Sequence, residues 1–500
     1  MALKLSSNAL RLSARYFSSR TLSRQSSIAS QHPSAARSAI SEPIDPSSKS
    51  PKISKATPLS ILPLSSILRS LATMSISSSP LLLRPCLHIM HKLAHSTSPI
   101  LSPDSNPLLS ILLKRTFYAQ FCAGETSSEV QATVSRLRSL GFSGVILAYA
   151  KEVVLDKTQA SAPIQNKDTE SESEARIKNE IIPWANGTLE TVRMTRPGDF
   201  VALKFTGAGS QALYDLSQQA SPSPALKKAI DSVCDLAAAR GVKLLFDAEQ
   251  AALQPGIDAW TLGYMRKYNK QVNGEGQAVI YGTYQAYLKS APAVVSAHLA
   301  AARREGFTLG VKLVRGAYLG SDPRHLICDT KADTDAAYDG IAEALVRRSY
   351  NQILQPAEGE QEAFPDVALV LAGHNTTSVR KVQLLCSQQK QRGEKGIEVV
   401  YAQLQGMADE VSCELVLAGR DARAGSVSGP ESEPGAGTGD VKPATQDVPK
   451  AYKYLVWGTT GECMKYLYRR AQENKDAVER TREGRDAMAR ELWRRIWGGA

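Results

Sequence analysis

The sequence predicts a closed (β/α)8 barrel, and three observations carry that prediction. Eight short runs rich in β-branched and aliphatic residues follow one another between residues 143 and 460. Most are continuously apolar rather than alternating, as strands buried on both faces must be. Segments of helical period separate them, and polar residues collect just past the C-terminal ends of several runs, where barrel active sites lie. An open doubly wound parallel sheet is the competing architecture.

Residues 1–100 differ from the rest. Twelve Lys/Arg face only two acids there, Glu42 and Asp45, so this stretch carries +10 of the formal charge of +11. Residues 101–500 are nearly neutral, which removes the basic pI as an argument for a nucleic-acid surface. An arginine- and serine-rich, acid-poor start without a compact apolar segment is the mark of a mitochondrial transit peptide, so 1–100 is expected to be such a peptide within a disordered leader. The apolar patches at Leu59–Leu71 and Pro80–Met90 are broken by Pro63, Arg69, Arg84 and Pro85, and neither approaches the ~20 residues of a membrane span. Seven cysteines lie scattered without a C-x-x-C pair, which argues against a disulfide framework or structural zinc and for a reducing compartment.

The domain is expected to run over residues 101–500. Thr126–Glu129 (TSSE) reads as a capping box, with Val130, Val134 and Leu137 on one helix face and Gly141 as the stop. The strand runs then follow: SGVILAYA (143–150), DFVALKFTG (199–207), VKLLFDAE (242–249), AVIYGTYQ (278–285), LGVKLVRGAY (309–318), DVALVLAGHN (366–375), IEVVYAQLQG (397–406) and KYLVWGTT (453–460). Helical stretches between them include Pro292–Arg304, Thr334–Arg348 and Glu410–Leu417. Two segments read as insertions, 158–179 and 424–449, the second rich in Gly, Pro, Ser and acids and expected to be disordered. The charged helix over 476–497 is left with three possible resting places: the barrel, a partner or a membrane surface.

The chemistry concentrates at the run ends. Arg469 and Arg470 follow the last run, with Glu473 one turn beyond Arg469. Guanidinium forks suit bidentate capture of a carboxylate, and a glutamate one turn away can hold one fork in place. The implied ligand is a small carboxylic acid. Lys204 ends the second run, where a buried cation needs an acidic partner or a role. Asp247 and Glu249 end the third, as helix caps or as site acids. Lys312 and Arg315 differ by three positions and so point to opposite faces. Gly316 permits close approach to the backbone, and Tyr318 adds a hydroxyl. His374-Asn375 close the sixth run, either as structural hydrogen-bonding residues or as part of the site.

Three other readings are open to these residues. Gly207-Ala-Gly209-Ser-Gln-Ala212 matches a dinucleotide fingerprint, but the candidate ribose acid, Asp247 or Glu249, lies about 40 residues past the first glycine rather than about 20 beyond the motif. A Schiff-base aldolase would use Lys204 or Lys312. A catalytically dead barrel would serve as a partner-binding module.

The strings VALKFTG, LLFDAEQ, YGTYQAYLK, GVKLVRGAYL, DTKADTDAAYD, LAGHNTTSV, YAQLQGMADEVS and YKYLVWGTTGECMKYLYRRAQEN resemble, in order from Val201 to Asn474, the FAD-dependent proline dehydrogenases, in their eukaryotic branch. The resemblance implies a flavin-bearing barrel that oxidises L-proline to Δ1-pyrroline-5-carboxylate, with hydride passing from C5 to flavin N5 and electrons on to a membrane quinone. It implies a location on the matrix side of the mitochondrial inner membrane with peripheral membrane contact. Hydroxyproline is the alternative substrate. Position by position, Arg469 and Arg470 resemble the carboxylate-binding pair, with Lys204 as a third cation. Tyr454, Leu404 and Tyr318 resemble the ring wall, organised by Asp247. Gln285, Lys312, Val314, Gly316, Thr330, Lys331, His374 and Asn375 resemble the FAD contacts. The chain departs from bacterial relatives at Lys312, where they carry arginine, and at Leu319, where they carry tryptophan. Tyr454, by its bulk, is expected to disfavour a ring hydroxyl.

Overall fold

The computed structural model describes residues 57–96, 98–151, 170–272, 275–357, 363–427, 448–473 and 478–498. The transit-peptide reading of residues 1–56, most of the first insertion and the disordered reading of 428–447 lie outside them.

Ahead of the barrel's first strand lie α1 (Leu64–Ser77), α2 (Pro80–His95) and α3 (Pro107–Leu113). α4 (Ser127–Ser139) follows, its N-cap Thr126 accepting from the Glu129 amide, with Val130, Val134 and Leu137 buried on one face. The Glu129 carboxylate reaches back to the amide of Glu125, one residue before the cap. The eight expected strands all form: β1 (Gly144–Tyr149), β2 (Phe200–Leu203), β3 (Lys243–Phe246), β4 (Ile280–Gln285), β5 (Leu309–Val314), β6 (Val367–Ala372), β7 (Glu398–Leu404) and β8 (Lys450–Trp457). Each pairs in parallel with its neighbours in chain order, and β1 pairs with β8 to close the barrel. The principal helices after β1 to β8 are α5 (Ile182–Met194), α6 (Pro224–Ala239), α7 (Gln254–Tyr268), α8 (Ala291–Glu305), α9 (Lys331–Arg347), α10 (Thr376–Gln391), α11 (Asp409–Val427) and α12 (Thr460–Glu473). A final helix, α13 (Val478–Trp497), ends the described chain.

Alternation along the strands sorts the core into two layers. Ile146, Phe200, Leu245, Tyr281, Val370, Val400 and Tyr452 fill the barrel, while Val145, Val201, Leu244, Ile280, Val311 and Leu369 pack outward against the helices. Burying each such side chain contributes ~1.5–3 kcal/mol, which is why continuous apolar runs close the ring. At the N-terminal end Lys243 reaches Glu398 at 2.5 Å and lies over the Phe200 and Tyr281 rings. That end is plugged, and chemistry is left to the C-terminal mouth.

The structure corrects the extent of the leader. Residues 58–95 form helices, and α1 and α2 pack on the barrel's own additions. α1 and α13 share a small core of Ile67, Ala487 and Met488, and the Arg495 guanidinium donates to the carbonyls of Leu59, Ser60 and Leu62. α2 places His91 and His95 against the Tyr468 ring of α12, at 5.1 and 5.9 Å between centroids. Local composition misled here, because a serine-rich, acid-free segment gains its stability from contacts more than 350 residues away. α13 packs against α1, a helix of the same chain that the sequence analysis did not name as its resting place. Among the described residues no helix is long and apolar enough to cross a membrane.

Candidate active site

A buried carboxylate organises the mouth of the barrel. Asp247, just past β3, is 5% exposed. Its Oδ1 accepts from the Lys312 ammonium of β5, and its Oδ2 accepts from the Tyr454 hydroxyl of β8 at 2.9 Å. The Lys204 ammonium, just past β2, lies 3.6 Å from the same Oδ2 and donates to the Tyr318 hydroxyl at 3.3 Å. Four strand ends thus converge on one acid. Burial pushes the Asp247 carboxyl upward, but Lys312 and Lys204 overcome it and hold the group below its ordinary range. Burial, with Lys204 and Arg470 nearby, lowers Lys312 despite Asp247. Tyr318 is pushed up to about 12, mainly by burial, and stays a neutral hydroxyl. Glu249 is also buried, accepting from the Thr206 amide at 3.1 Å and from its hydroxyl, and burial raises it.

The wall residues are neighbours by register. Tyr454 pairs with Leu404 across β8 and β7, so both stand on the same side of the mouth. The Lys312 ammonium lies 5.0 Å from the centre of the Tyr454 ring. A residue the sequence reading missed fixes this wall. Lys453, 2% exposed, donates to Asp409 at 2.8 Å and to the carbonyls of Met407 at 3.0 Å and Leu404 at 3.5 Å. An apolar strand interrupted by Lys453 next to Tyr454 was the available signal.

α12 lies over the mouth and carries Arg469 and Arg470, both half-buried. Their guanidinium carbons stand 6.0 and 5.4 Å from the Tyr466 ring centre, a cation–π platform one turn earlier on the same helix. That i−3/i−4 spacing was legible but went unused. Arg470 acts electrostatically on both Lys312 and Tyr318, and it lines a cavity of about 240 Å³ shared with His374, Leu404, Gln405 and Tyr466. The far wall of that cavity comes from α1, α2 and α13, through Met74, Met90 and Met488. The side chain of Glu473 lies outside the described residues.

The remaining candidates divide. His374 accepts the Leu404 amide at 3.2 Å, which ties the ends of β6 and β7 together. Asn375 caps α10 through the amides of Thr377 and Ser378, and Thr330 closes a capping box with Asp333 at the start of α9. Lys331 is exposed and paired with Asp335. Gln285 bridges inward, its Nε2 to the Glu249 carbonyl at 3.0 Å and its Oε1 from the Ala317 amide at 3.1 Å. Gly316 has φ +145°, and a Cβ there would fall 2.2 Å from the Tyr287 ring, so packing inside the protein requires the glycine. Val314 ends β5, its carbonyl accepting the Ala286 amide. Arg315 points outward as the spacing predicts, to Asp335 at 2.8 Å and Ser378 at 2.9 Å.

Lys204, Lys312 and Arg470 set three positive charges against Asp247 and Glu249, with Arg469 beside them. The excess suits an anionic ligand of small size. The cavity is lined by apolar Leu404, Met407 and Phe117 together with polar His374 and Gln405. The Gln405 Oε1 is buried and accepts no hydrogen bond among the described residues. An aromatic ring system with hydrogen-bonding groups along one edge, as a flavin has, fits that donor and acceptor set.

A family model described as proline dehydrogenase matches residues 130–483. The chain is 30% identical over 425 residues to the probable mitochondrial proline dehydrogenase of Schizosaccharomyces pombe, covering 76% of this chain and 80% of that protein. It is 27% identical over 430 residues to the hydroxyproline dehydrogenase of Bos taurus, covering 78% and 83%. It is 31% identical over 271 residues to the mitochondrial proline dehydrogenase 1 of Caenorhabditis elegans, covering 53% and 37%. Among solved structures, proline utilization A of Bdellovibrio bacteriovorus superposes with a TM-score of 0.55 at 16% identity, covering 81% of this chain and 38% of that one. This last likeness concerns the fold.

Proposed function

The chain belongs to the proline dehydrogenase family and is an oxidoreductase of that kind, and from that premise we propose that it oxidises L-proline to Δ1-pyrroline-5-carboxylate with FAD as its cofactor. The observation that carries this reading is the cationic mouth, in which Lys204 and Lys312 pair with one organising acid, Asp247, and Arg470 acts electrostatically on Lys312 and Tyr318. Mitochondrially named relatives support a mitochondrial location. Electron transfer to a membrane quinone, on the matrix side of the inner membrane, belongs to the same proposal.

Arg469 and Arg470 bind the proline carboxylate, and Lys204 completes its neutralisation. With the acid end fixed, the ring lies against Tyr454, Leu404 and Tyr318, so that C5 is held in one orientation. Asp247 keeps Tyr454, Lys204 and Lys312 in register through its hydrogen bonds and its charge. Lys312, His374 and Gln405 would hold the flavin ring, with Gln285, Val314, Gly316, Thr330, Lys331 and Asn375 shaping the rest of its bed. A bound flavin supplies the hydride acceptor, which the protein cannot provide from its side chains. Little acid–base power is demanded of the protein, since proline need only lose its amine proton. The α12 lid and the α1–α2 layer exclude water.

The purified protein is expected to be yellow and to bleach when L-proline is added without oxygen. A colourless protein that borohydride traps covalently on a carbonyl substrate would support the aldolase reading instead, and reduction of NAD would revive the dinucleotide one.

Hydroxyproline is the close rival, and the fission-yeast and bovine relatives, at 30 and 27% identity, do not separate the two substrates. Tyr454 does so by shape. Tyr454→Ser is expected to shift the kcat/KM ratio toward hydroxyproline by roughly tenfold or more, while Tyr454→Phe leaves the ratio near its starting value. Paired kinetics on the two substrates check this, and an unchanged ratio in the serine variant removes Tyr454 as the selector.

A further inference from the structure

The exposed large apolar residues of this chain are not spread evenly. Leu81, Leu82 and Ile89 of α2 are 85, 53 and 56% exposed, and Leu108, Ile111 and Leu112 of α3 are 79, 49 and 60% exposed. The inner faces of the same two helices are fully used. Met90 and Ala94 of α2 and Leu113 of α3 are buried in one cluster with Cys463, Met464 and Leu467 of α12. Both helices therefore rest on α12 and leave these leucines and isoleucines exposed to solvent.

The charge on this layer is one-sided. No aspartate or glutamate occurs from residue 57 to residue 103, whereas Arg69, Arg84 and Lys92 lie within it; next to α3, Asp104 precedes the helix and Lys114 beyond it is paired with Glu125. Arg84, His88 and Lys92 share the exposed face of α2 with Leu81 and Ile89. Elsewhere the surface intersperses both signs, as with the Arg380–Glu414 and Arg347–Glu343 pairs. On α2, exposed apolar side chains stand beside Arg84, His88 and Lys92 with no acid among them, the pattern of a helix that lies in a lipid headgroup region rather than against another protein, whose surface would bring acids and cations together. α2 has 16 residues and is interrupted by Pro85, which suits lying on a bilayer and not crossing it.

We propose that α2 and α3 form a docking surface for a bilayer containing anionic phospholipid, with Leu81, Leu82, Ile89, Leu108, Ile111 and Leu112 entering the headgroup boundary. This deepens the membrane part of the functional reading, by naming the face that makes the contact. It also explains why residues with the composition of a leader are folded onto the catalytic unit. Leu83, Cys86 and Met90, on the inner side of α2, wall the cavity that reaches Arg470 and Leu404. Docking sets that cavity next to the bilayer.

The test is co-sedimentation of the full chain with phosphatidylcholine vesicles, with and without phosphatidylglycerol, alongside a Leu81→Ser, Leu82→Ser, Ile89→Ser variant. The three side chains are exposed, so the fold and proline-dependent dye reduction in solution are expected to be unchanged. Binding is expected only to the anionic vesicles, to weaken with salt, and to fall by about tenfold or more in the variant, since each leucine removed withdraws several methylene groups from the boundary. Equal binding of the variant overturns the proposal. So does failure to bind any vesicle, and a dimer in light scattering that the variant abolishes would assign the face to a second copy of the chain. Vesicle binding without proline oxidation would count against the functional reading alone, and oxidation without vesicle binding against the docking surface alone.

Discussion

An Arg470→Met variant is expected to lose about 2–5 kcal/mol of transition-state binding for proline, a fall of roughly 30- to 5,000-fold in kcat/KM. The guanidinium lines the cavity and acts electrostatically on both Lys312 and Tyr318. Methionine keeps much of the side chain's volume against Tyr466 but removes both charge and fork. The loss should appear mostly in KM, because the carboxylate is bound in the ground state as well as in the transition state. A five-membered-ring carboxylate that cannot be oxidised should lose inhibitory affinity by a similar factor. Arg469, which stands farther from Tyr466, is expected to cost less when replaced in the same way. Normal proline kinetics in the Arg470 variant would remove the carboxylate assignment.

Asp247→Asn should produce the largest effect on stability, about 3–5 kcal/mol by denaturant titration, because it strands buried cations without their acid. Lys312 and Lys204 have side chains 7 and 14% exposed, and Asp247 is the carboxylate that ion-pairs with both. The loss depends on pH in a definite direction. The native Asp247 carboxyl is held below its ordinary value, so it stabilises the fold above the unfolded pKa near 4 and loses that contribution as pH falls through the native one. The wild type therefore approaches the variant on acidification. At alkaline pH the variant recovers instead. Lys312, already lowered and now without its partner, gives up its proton in the folded state before the unfolded chain does, so stability rises with pH. Adding Lys312→Met to Asp247→Asn is expected to restore a large part of the loss, since an apolar replacement of a buried pair is often nearly neutral. A gap that stays constant from acid to alkaline pH would show that Asp247 acts by shape and not by charge.

Much of the fold was legible because its signal is local. A continuous apolar run such as LGVKLVRGAY can be buried only between two layers, and eight such runs in parallel register fill a barrel. The acids and cations of the site were legible for a related reason: a charged residue ending an apolar run is costly unless it has a partner. The partners themselves were not legible. Nothing in the spacing of Asp247, Lys312 and Tyr454 says that one acid receives both, at positions 65 and 207 residues apart. Nor did the sequence show that Gly316, expected at a place of close ligand approach, is also required by the Tyr287 ring, or that Gln285, expected as a cofactor contact, also bridges two backbone groups. Lys453 went unread because its partners lie at the end of the preceding strand β7 and just beyond it, 44 to 49 residues earlier in the chain.

The sequence by itself determined the barrel and its order of strands, and it placed two adjacent arginines on the helix that follows the last strand. Only the tertiary structure decided that residues 58–95 belong to the folded unit and close the site from above, and that Asp247 is the hub on which three other strand ends converge. Periodicity and burial are written residue by residue along the chain. Contact between distant ends of a closed sheet depends on ring closure and register, which fix the distances between side chains that the linear order leaves free.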